Sequence, residues 1–550
     1  MKKIRIFATA LLLAFTLSSC ESFFDVELDD QAKIEDIFRQ KTEVQKYLSH
    51  LYSYIPQEEE VVGMHGWTVG RSDEALFSWY QWVYYTQFRT GNYSSATTNF
   101  NYWPDYYIGI NQCSIFLKYI DLDKEDTPTT VAYMKAEARF LRAYYYFLLF
   151  RQYGPVFIWG DQIADETIDG VTISADYFLQ LAADAAWAIM EQNKYSLYKG
   201  NTLKLDAPYR EYFILEDGDA KETILSMRFN ADILVRHGIQ FTFRNMRHSA
   251  TQRLVNHYLM ADGSKIQDQP GYETMTYNQQ FQNRDPRMAQ TLMAPGYVDL
   301  NGIDEVIEDC KSYDMTGYRF IKFVSDDTHN GATTSTTDWP VFRYPEILLT
   351  YAEAKAELGT LTPEDIALTV DIVRDRVGMP ALDMAAANNN PDPLMASYYP
   401  NVNSGANKGV ILEIRRERTV ELPCEGLRQW DMLRWKEGAQ LVPSSNGLDG
   451  FLGCYFPSLG EYDMNGDGKM DLCLWSGTKP ATTCDAMLEI GEGKDAQLTD
   501  GTSGYIVCFR GRTYKWEEGR DYLWPIPTDQ RVATGGALSQ NPGYEDGLSF

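Results

Sequence analysis

Histidine is scarce in this chain of 550 residues, and the six present (His50, His65, His237, His248, His257 and His329) show no metal-ligand spacing. There is no H-E-x-x-H, no G-x-S-x-G and no phosphate-binding glycine loop, so zinc peptidases, serine hydrolases and nucleotide-dependent enzymes have no local signature here. Glycosidase acids leave little trace in a sequence, so this absence does not dispose of that class. C-x-x-C is missing too, which argues against a zinc ribbon or a thioredoxin-type site. Positive charge is in deficit: 50 Lys and Arg against 77 Asp and Glu give a formal net charge of −27. Such a chain repels phosphate backbones and anionic headgroups, so nucleic acid is a poor partner. Strongly acidic polysaccharides are disfavoured on the same ground, which leaves neutral ligands or a basic partner. After Leu17 no apolar, uncharged run of about 18 residues recurs, so nothing further along is expected to span a bilayer.

What is present begins at the N-terminus. Lys2, Lys3 and Arg5 precede a mostly apolar stretch from Ile6 to Leu17, and Leu17-Ser18-Ser19-Cys20 follows. Those twelve residues are too few for a hydrocarbon core of roughly 30 Å at about 1.5 Å per residue. The pattern resembles a bacterial lipobox, which implies a signal peptide over 1–19 and a lipidated Cys20 as the first mature residue. The protein is then expected outside the cytoplasm, held to a membrane by acyl chains alone. Losing three cations with the signal takes the charge from −27 to −30. Of eight cysteines, lipidation leaves Cys113, Cys310, Cys424, Cys454, Cys473, Cys484 and Cys508, an odd number. Four of these crowd the C-terminal quarter, where one or two disulfides are expected in an oxidising compartment.

The composition, 44% hydrophobic and 23% charged, is that of a globular protein with ample length for a large core. Most readable periodicity is helical. Val131 to Tyr153 places Ala136, Phe140, Phe147 and Leu148 on one face and Leu141, Tyr145 and Leu149 on another, ending at Gly154-Pro155. Further helices are expected over Tyr344 to Leu358, from Thr362 as N-cap with Pro363 in the first turn, over Gly409 to Leu422, and over Leu427 to Trp435. Lys221 to Phe229 reads as a short strand. Gly238 to Trp339 is loop-rich, and Ala385 to Gly405 reads as a surface loop. Ala136-Glu137-Ala138-Arg139-Phe140 fits the A-x₃-F fragment of a tetratricopeptide repeat, although no 34-residue period runs through the chain.

Four ordered segments resemble the SusD/RagB family of outer-membrane lipoproteins. They are Ala138 to Phe147 with Tyr153-Gly154-Pro155; Phe342 to Leu349 with Tyr351 to Ala354; Ile414 to Arg418 with Glu421-Leu422, Glu425 to Arg428 and Asp431 to Trp435; and Tyr522 to Pro527 with Gln540 to Tyr544. The resemblance implies a mainly α fold with few short strands: a tetratricopeptide-like helix-pair scaffold over 20–550 as one domain, with a loop-rich inserted region at about 230–340 in its ligand-binding half. It also implies a surface protein that binds a nutrient without cleaving it and delivers it to a SusC-like TonB-dependent transporter. The nutrient would be a neutral oligosaccharide or polysaccharide, or a peptide as in RagB-like members. A lipid-anchored glycoside hydrolase is the alternative from another class.

Fourteen of the 43 residues from His65 to Tyr107 are aromatic, against 14% in the whole chain. Flat rings with a polar edge suit the C–H face and hydroxyl rim of a sugar. Trp67, Arg71, Asp73, Trp79, Trp82, Tyr84 and Tyr85 are therefore candidate ligand-binding residues, with Trp339 for the opposite wall. The competing reading is plain packing between helices, which is the reading adopted for Trp103, Tyr106 and Tyr107. Asp463-Met464-Asn465-Gly466-Asp467-Gly468-Lys469-Met470-Asp471 matches the front of an EF-hand loop, with Asp463, Asn465, Asp467, the Lys469 carbonyl and Asp471 as calcium donors. Position twelve is Leu474 rather than a bidentate Glu, so the site is partial. A structural calcium is expected, with a plain Asx/Gly turn as the alternative. The run Arg415, Arg416, Glu417, Arg418, Glu421, Glu425, Arg428, Asp431 and Arg434 alternates sign at helical spacing. It is read as a salt-bridged packing network, because acids at i and i+4 on one helix cannot flank a bond.

Overall fold

The computed structural model describes residues 33–57, 67–77, 88–96, 101–156, 175–245, 248–302, 316–326, 329, 331–403, 405–442, 451–494, 496–507 and 514–549. The fold is mainly helical with few short strands, and its contacts divide it into two compact units: Met1–Ile55 with Tyr102–Ala164, and Pro56–Asn101 with Asp165–Phe550. No helix among the described residues is long and apolar enough to cross a membrane.

The first unit is built on three helices, α1 (Lys41–Leu51), α2 (Trp103–Tyr119) and α3 (Pro128–Tyr153). The Thr127 hydroxyl caps α3 by accepting from the Thr130 N–H at 3.1 Å, Pro128 occupies the first turn, and Gly154 ends the helix at a φ of 80°. Phe38, Leu51, Phe116 and Tyr145 are fully buried between these helices, and Trp103 and Tyr106 join them. The packing reading of Trp103 and Tyr106 thus holds. Gly109 is the small residue this contact needs, since a Cβ there would lie 3.0 Å from the Tyr145 ring. Leu141, Tyr145 and Leu149 face the core as the periodicity predicts, but Phe140 and Phe147 are about half exposed. Leu148, on the same face as those two rings, is nonetheless 1% exposed, so that stripe is buried in part.

In the second unit, α4 (Ala175–Met190) lies on α6 (Tyr344–Glu357), with the rings of Trp187 and Tyr351 5.7 Å apart; the short α5 (Gln252–His257) lies between them in sequence. The Thr362 cap is present as a capping box with Asp365. Helix α7 (Lys408–Glu421) is buried along its whole length from Gly409, and α8 (Arg428–Arg434) follows it. Among the described residues, four small sheets complete the unit. β1 (Ala75–Phe77) pairs antiparallel with β3 (His248–Ala250), and β2 (Thr223–Met227) with β4 (Trp339–Arg343). β5 (Leu452–Phe456), β10 (Gly504–Val507) and β9 (Gln497–Leu498) form the third. In the fourth, β7 (Leu472–Trp475) runs antiparallel to β6 (Gly460–Tyr462) and parallel to β8 (Ala486–Glu489).

One expectation is corrected. Residues 385–405 are not simply loop: they hold Met384–Asn389 and Pro393–Tyr398, each started by an aspartate, Asp383 and Asp392, whose carboxylate accepts from backbone N–H groups of the first turn. The loop-rich stretch before Trp339 contributes core, for Tyr258, Met288, Leu292 and Tyr318 are fully buried. Short capped turns carrying single large apolar residues build core without leaving a periodic pattern.

Candidate functional site

The ion-pair network stands where the alternating charges put it, inside the protein. Arg287 pairs with Asp285 at 2.7 Å and Glu417 at 2.5 Å, while Arg374 reaches Glu417 at 2.9 Å. Glu421 lies between Arg343 at 2.6 Å and Arg376 at 2.5 Å, and Arg343 also meets Glu425 at 2.6 Å. Burial raises the Glu421 carboxyl, but Arg376, Arg343 and Arg287 outweigh it and hold the group at about 2. Glu417 moves down for the same reason, against its burial, with Arg287 and Arg374 as the cations. Both acids are therefore fixed anions, the opposite of a general acid tuned upward.

The same design anchors the aromatic-rich segment. Asp73, fully buried, receives Arg428 through two bonds of 2.6 and 2.7 Å and Arg253 through one of 3.3 Å. Burial opposes its charge, yet those guanidiniums keep its pKa lowered. Its neighbour Glu74 accepts from the Cys424 N–H at 3.3 Å, and burial, with Asp73 adding repulsion, pushes it up to about 8. The Arg71 guanidinium stacks over Phe88 at 4.8 Å and Trp524 at 4.5 Å. Arg89 lies over Phe451 at 4.1 Å and donates to the Ser72 and Ala75 carbonyls at 3.1 and 3.3 Å. Tyr93 donates to Asp521 at 2.9 Å, and its ring lies 5.7 Å from that of Trp524.

Residues 71–77 and 88–96 thus form two fixed posts. Between them runs the stretch containing Trp79, Trp82, Tyr84 and Tyr85, which lie outside the described residues, as does Cys20. Trp67 opens a single helical turn, Trp67–Gly70, just before the first post. Arg71 and Asp73 are buried: their polar groups point into the protein, where stacking and ion pairing use them. Trp339 is a further correction. It is 3% exposed and packs 5.2 Å from Phe323, so its ring faces core rather than solvent. Arg428, Arg253, Arg89 and Trp524 are the anchoring residues that sequence reasoning did not connect to the site; only the tertiary contacts link positions so far apart in the chain.

In the acidic loop, Asp463 accepts from the N–H groups of Gly466 at 2.6 Å and Gly468 at 2.8 Å. Asn465 accepts from Asp467, Asp467 from Lys469, and Asp471 from Met464 at 2.7 Å. The turn is closed by its own hydrogen bonds, with Gly466 and Gly468 at φ of 82° and 90°. Among the described residues no group of three or more His, Cys, Asp or Glu is gathered to hold a metal ion. The donors therefore do not by themselves form a calcium cage. Asp471 Oδ2 accepts a second N–H, from Asn465 at 3.3 Å, whereas each Asp463 oxygen accepts one N–H and keeps a lone pair.

Two family models cover nearly the whole chain. The one described as "SusD family" matches residues 244–544, more than half of the 550. The chain belongs to the SusD family. A second model, described as "Starch-binding associating with outer membrane", matches residues 22–198. No match is found among curated proteins. Among solved structures, a SusD-like protein from Bacteroides fragilis is 19% identical with a TM-score of 0.62, covering 94% of this chain and 100% of its own. A SusD-like carbohydrate-binding protein from the same species is 19% identical with a TM-score of 0.64, covering 90% of this chain and 98% of its own. Surface glycan-binding protein A from Bacteroides fluxus is 15% identical with a TM-score of 0.53, covering 92% and 100%. At these identities the likeness is one of fold.

The last of the four segments that carry the resemblance, within the matched range, has a clear structural office here. Gln540 brackets Ile526, accepting from its N–H at 2.7 Å and donating to its carbonyl at 2.9 Å. Asn541 donates to the Trp524 carbonyl at 2.5 Å, and the Tyr544 hydroxyl lies 3.0 Å from that of Tyr93. The C-terminal segment is therefore part of the second post.

Proposed function

We propose that the protein is a surface-exposed lipoprotein of the outer membrane that captures a neutral oligosaccharide or polysaccharide and hands it to a SusC-like TonB-dependent transporter, without cleaving it. The observation that carries this reading is the buried, cation-anchored packing of residues 71–77 and 88–96, which flank the tryptophan- and tyrosine-rich stretch in sequence, in a chain of the SusD family. A binding surface needs rings held in place, since ordering them on contact would consume affinity. The names of the related proteins, carbohydrate-binding and surface glycan-binding, support the ligand class. The family description supports the outer membrane, and the lipobox-like Cys20 supports a lipid tether as the means of attachment. The transporter partner rests on the family resemblance. A structural calcium at Asp463, Asn465, Asp467, Lys469 and Asp471 belongs to the proposal as well.

Affinity electrophoresis through gels holding a panel of polysaccharides tests the central claim, with the double variant Trp79→Ala/Trp82→Ala run alongside. Retardation by one neutral glycan, lost in a folded variant, is the expected result. Absence of retardation by every glycan, with both proteins folded, would direct the reading to peptide ligands. Turnover of any glycan would instead favour the hydrolase alternative.

A further inference from the structure

The β6–β7–β8 sheet and the connection leading into β8 carry two neighbouring cysteines. Cys473 sits in the middle of β7 and stands directly opposite Glu461 of β6 in an antiparallel pair. Residues opposite one another in such a pair carry their side chains on the same face, with Cα atoms about 4.5–5.5 Å apart. Thr482, in the connection to β8, reaches onto that face: its hydroxyl donates to the Glu461 carboxylate at 2.5 Å. The same hydroxyl accepts from the Cys484 N–H at 3.0 Å, so Cys484 is tied to the atom that covers Cys473's neighbour. On the other side, β7 and β8 run parallel with Leu472 opposite Ala486, which fixes the end of the connection two residues after Cys484. The thiol of Cys473 feels the arrangement. Burial raises its pKa, and the nearby Cys484 and Glu461 add to the rise, while the Thr482 hydroxyl lowers it.

We propose that Cys473 and Cys484 are a disulfide-forming pair that closes the loop between β7 and β8. The other described cysteines lie in different surroundings: Cys113 belongs to the first unit, Cys424 sits at a φ of 62° beside Glu74, and Cys454 lies against Gly317. Both thiols of the pair are free in the structure, so the bond forms by exchange. One thiolate attacks a disulfide oxidant, releasing one of its thiolates and leaving a mixed disulfide. The second thiolate then displaces the other half, so two thiol protons and two electrons pass to the oxidant as two thiols. A raised thiol pKa makes the first step slow at neutral pH, so the pair is structural rather than catalytic. The bond would pin residues 476–481, which are exposed, beside the contact Thr482 makes with Glu461. In the wider reading the bond would form after export, but the chemistry of the pair stands apart from that.

Equilibrating the reduced full chain with a glutathione buffer of oxidising poise separates the two claims. After alkylation and non-reducing digestion, mass spectrometry is expected to find the Cys473 and Cys484 peptides linked, two hydrogens lighter than their sum. Cys473→Ser should leave Cys484 open to alkylation, and Cys484→Ser should do the same for Cys473. Adding reductant to the linked parent should lower its melting temperature by a few degrees, a shift absent in either variant. If both thiols of the folded parent instead carry alkyl groups or glutathione, the pairing is overturned, whatever the protein's location. A linked pair in the buffer but not in protein recovered from cells would support the pairing and count against export.

Discussion

Glu421 has no exposed surface and holds three arginines, so its pKa of about 2 ties stability to acid. In the unfolded chain a glutamate titrates near its ordinary value, so this contribution is whole above about pH 4.5 and is lost as pH falls towards 2. Its size is on the order of 3 kcal/mol, readable as a fall in the urea midpoint over that window. Glu421→Gln strands buried guanidiniums and should lower stability by about 3–5 kcal/mol at neutral pH. Glu74 runs the other way. Its pKa is raised to about 8, so the stability it adds is complete below about pH 4.5 and drains away as pH rises to 8. Glu74→Gln should gain on the parent across that interval, by at most about 1.4 kcal/mol per pH unit, in paired denaturation curves. Trp339→Ala should lower stability by about 3–5 kcal/mol through the cavity it leaves, while glycan retardation survives.

At the level of elements, the post formed by 71–77 depends on α8 reaching back to it. Arg428→Ala leaves Asp73 buried with only Arg253, and the expected outcome is a large loss of stability together with weaker glycan retardation. Retained binding in a destabilised but folded Arg428→Ala protein would separate the post from the site. The acidic loop between β6 and β7 gives a cleaner choice. Calorimetric titration of chelator-treated protein should show calcium uptake that Asp463→Ala abolishes. A parent protein giving no heat would leave an Asx/Gly turn in which calcium has no part. The elements also show how far the sequence carried. Helices α3, α6, α7 and α8 fell within a few residues of their expected ends; Thr127, Pro128 and Gly154 punctuate α3, and Gly359 follows α6. The strands of the C-terminal quarter were not foreseen. They are two to five residues long, and alternation over so short a run cannot be told from chance.

For the molecule as a whole, the tether is the feature to test first. Cys20→Ser should move the protein out of the membrane fraction while leaving its fold and its glycan retardation unchanged. Persistence in the membrane fraction would mean that something other than an acyl chain holds it there. With 77 acidic against 50 basic residues, retardation by a neutral glycan should also change little with salt, because no long-range attraction assists capture.

Family, helix content and the structural character of the alternating charge run were all legible in the sequence, because each rests on local spacing or on segments shared with relatives. Arginine and glutamate at helical intervals, beside apolar neighbours on every side, can only be buried as pairs, and α7 is buried from Gly409 to Glu421. Only the tertiary structure decided where those charges meet and which aromatic rings they hold. Arg71 and Asp73 had the right chemistry for a sugar's hydroxyls, but Arg428 and Trp524 come from far along the chain to claim them. Trp339 had the right ring, but the pairing of β2 with β4 turned it inward. A side chain's partners are set by which distant segments the fold brings beside it, and no local pattern records that.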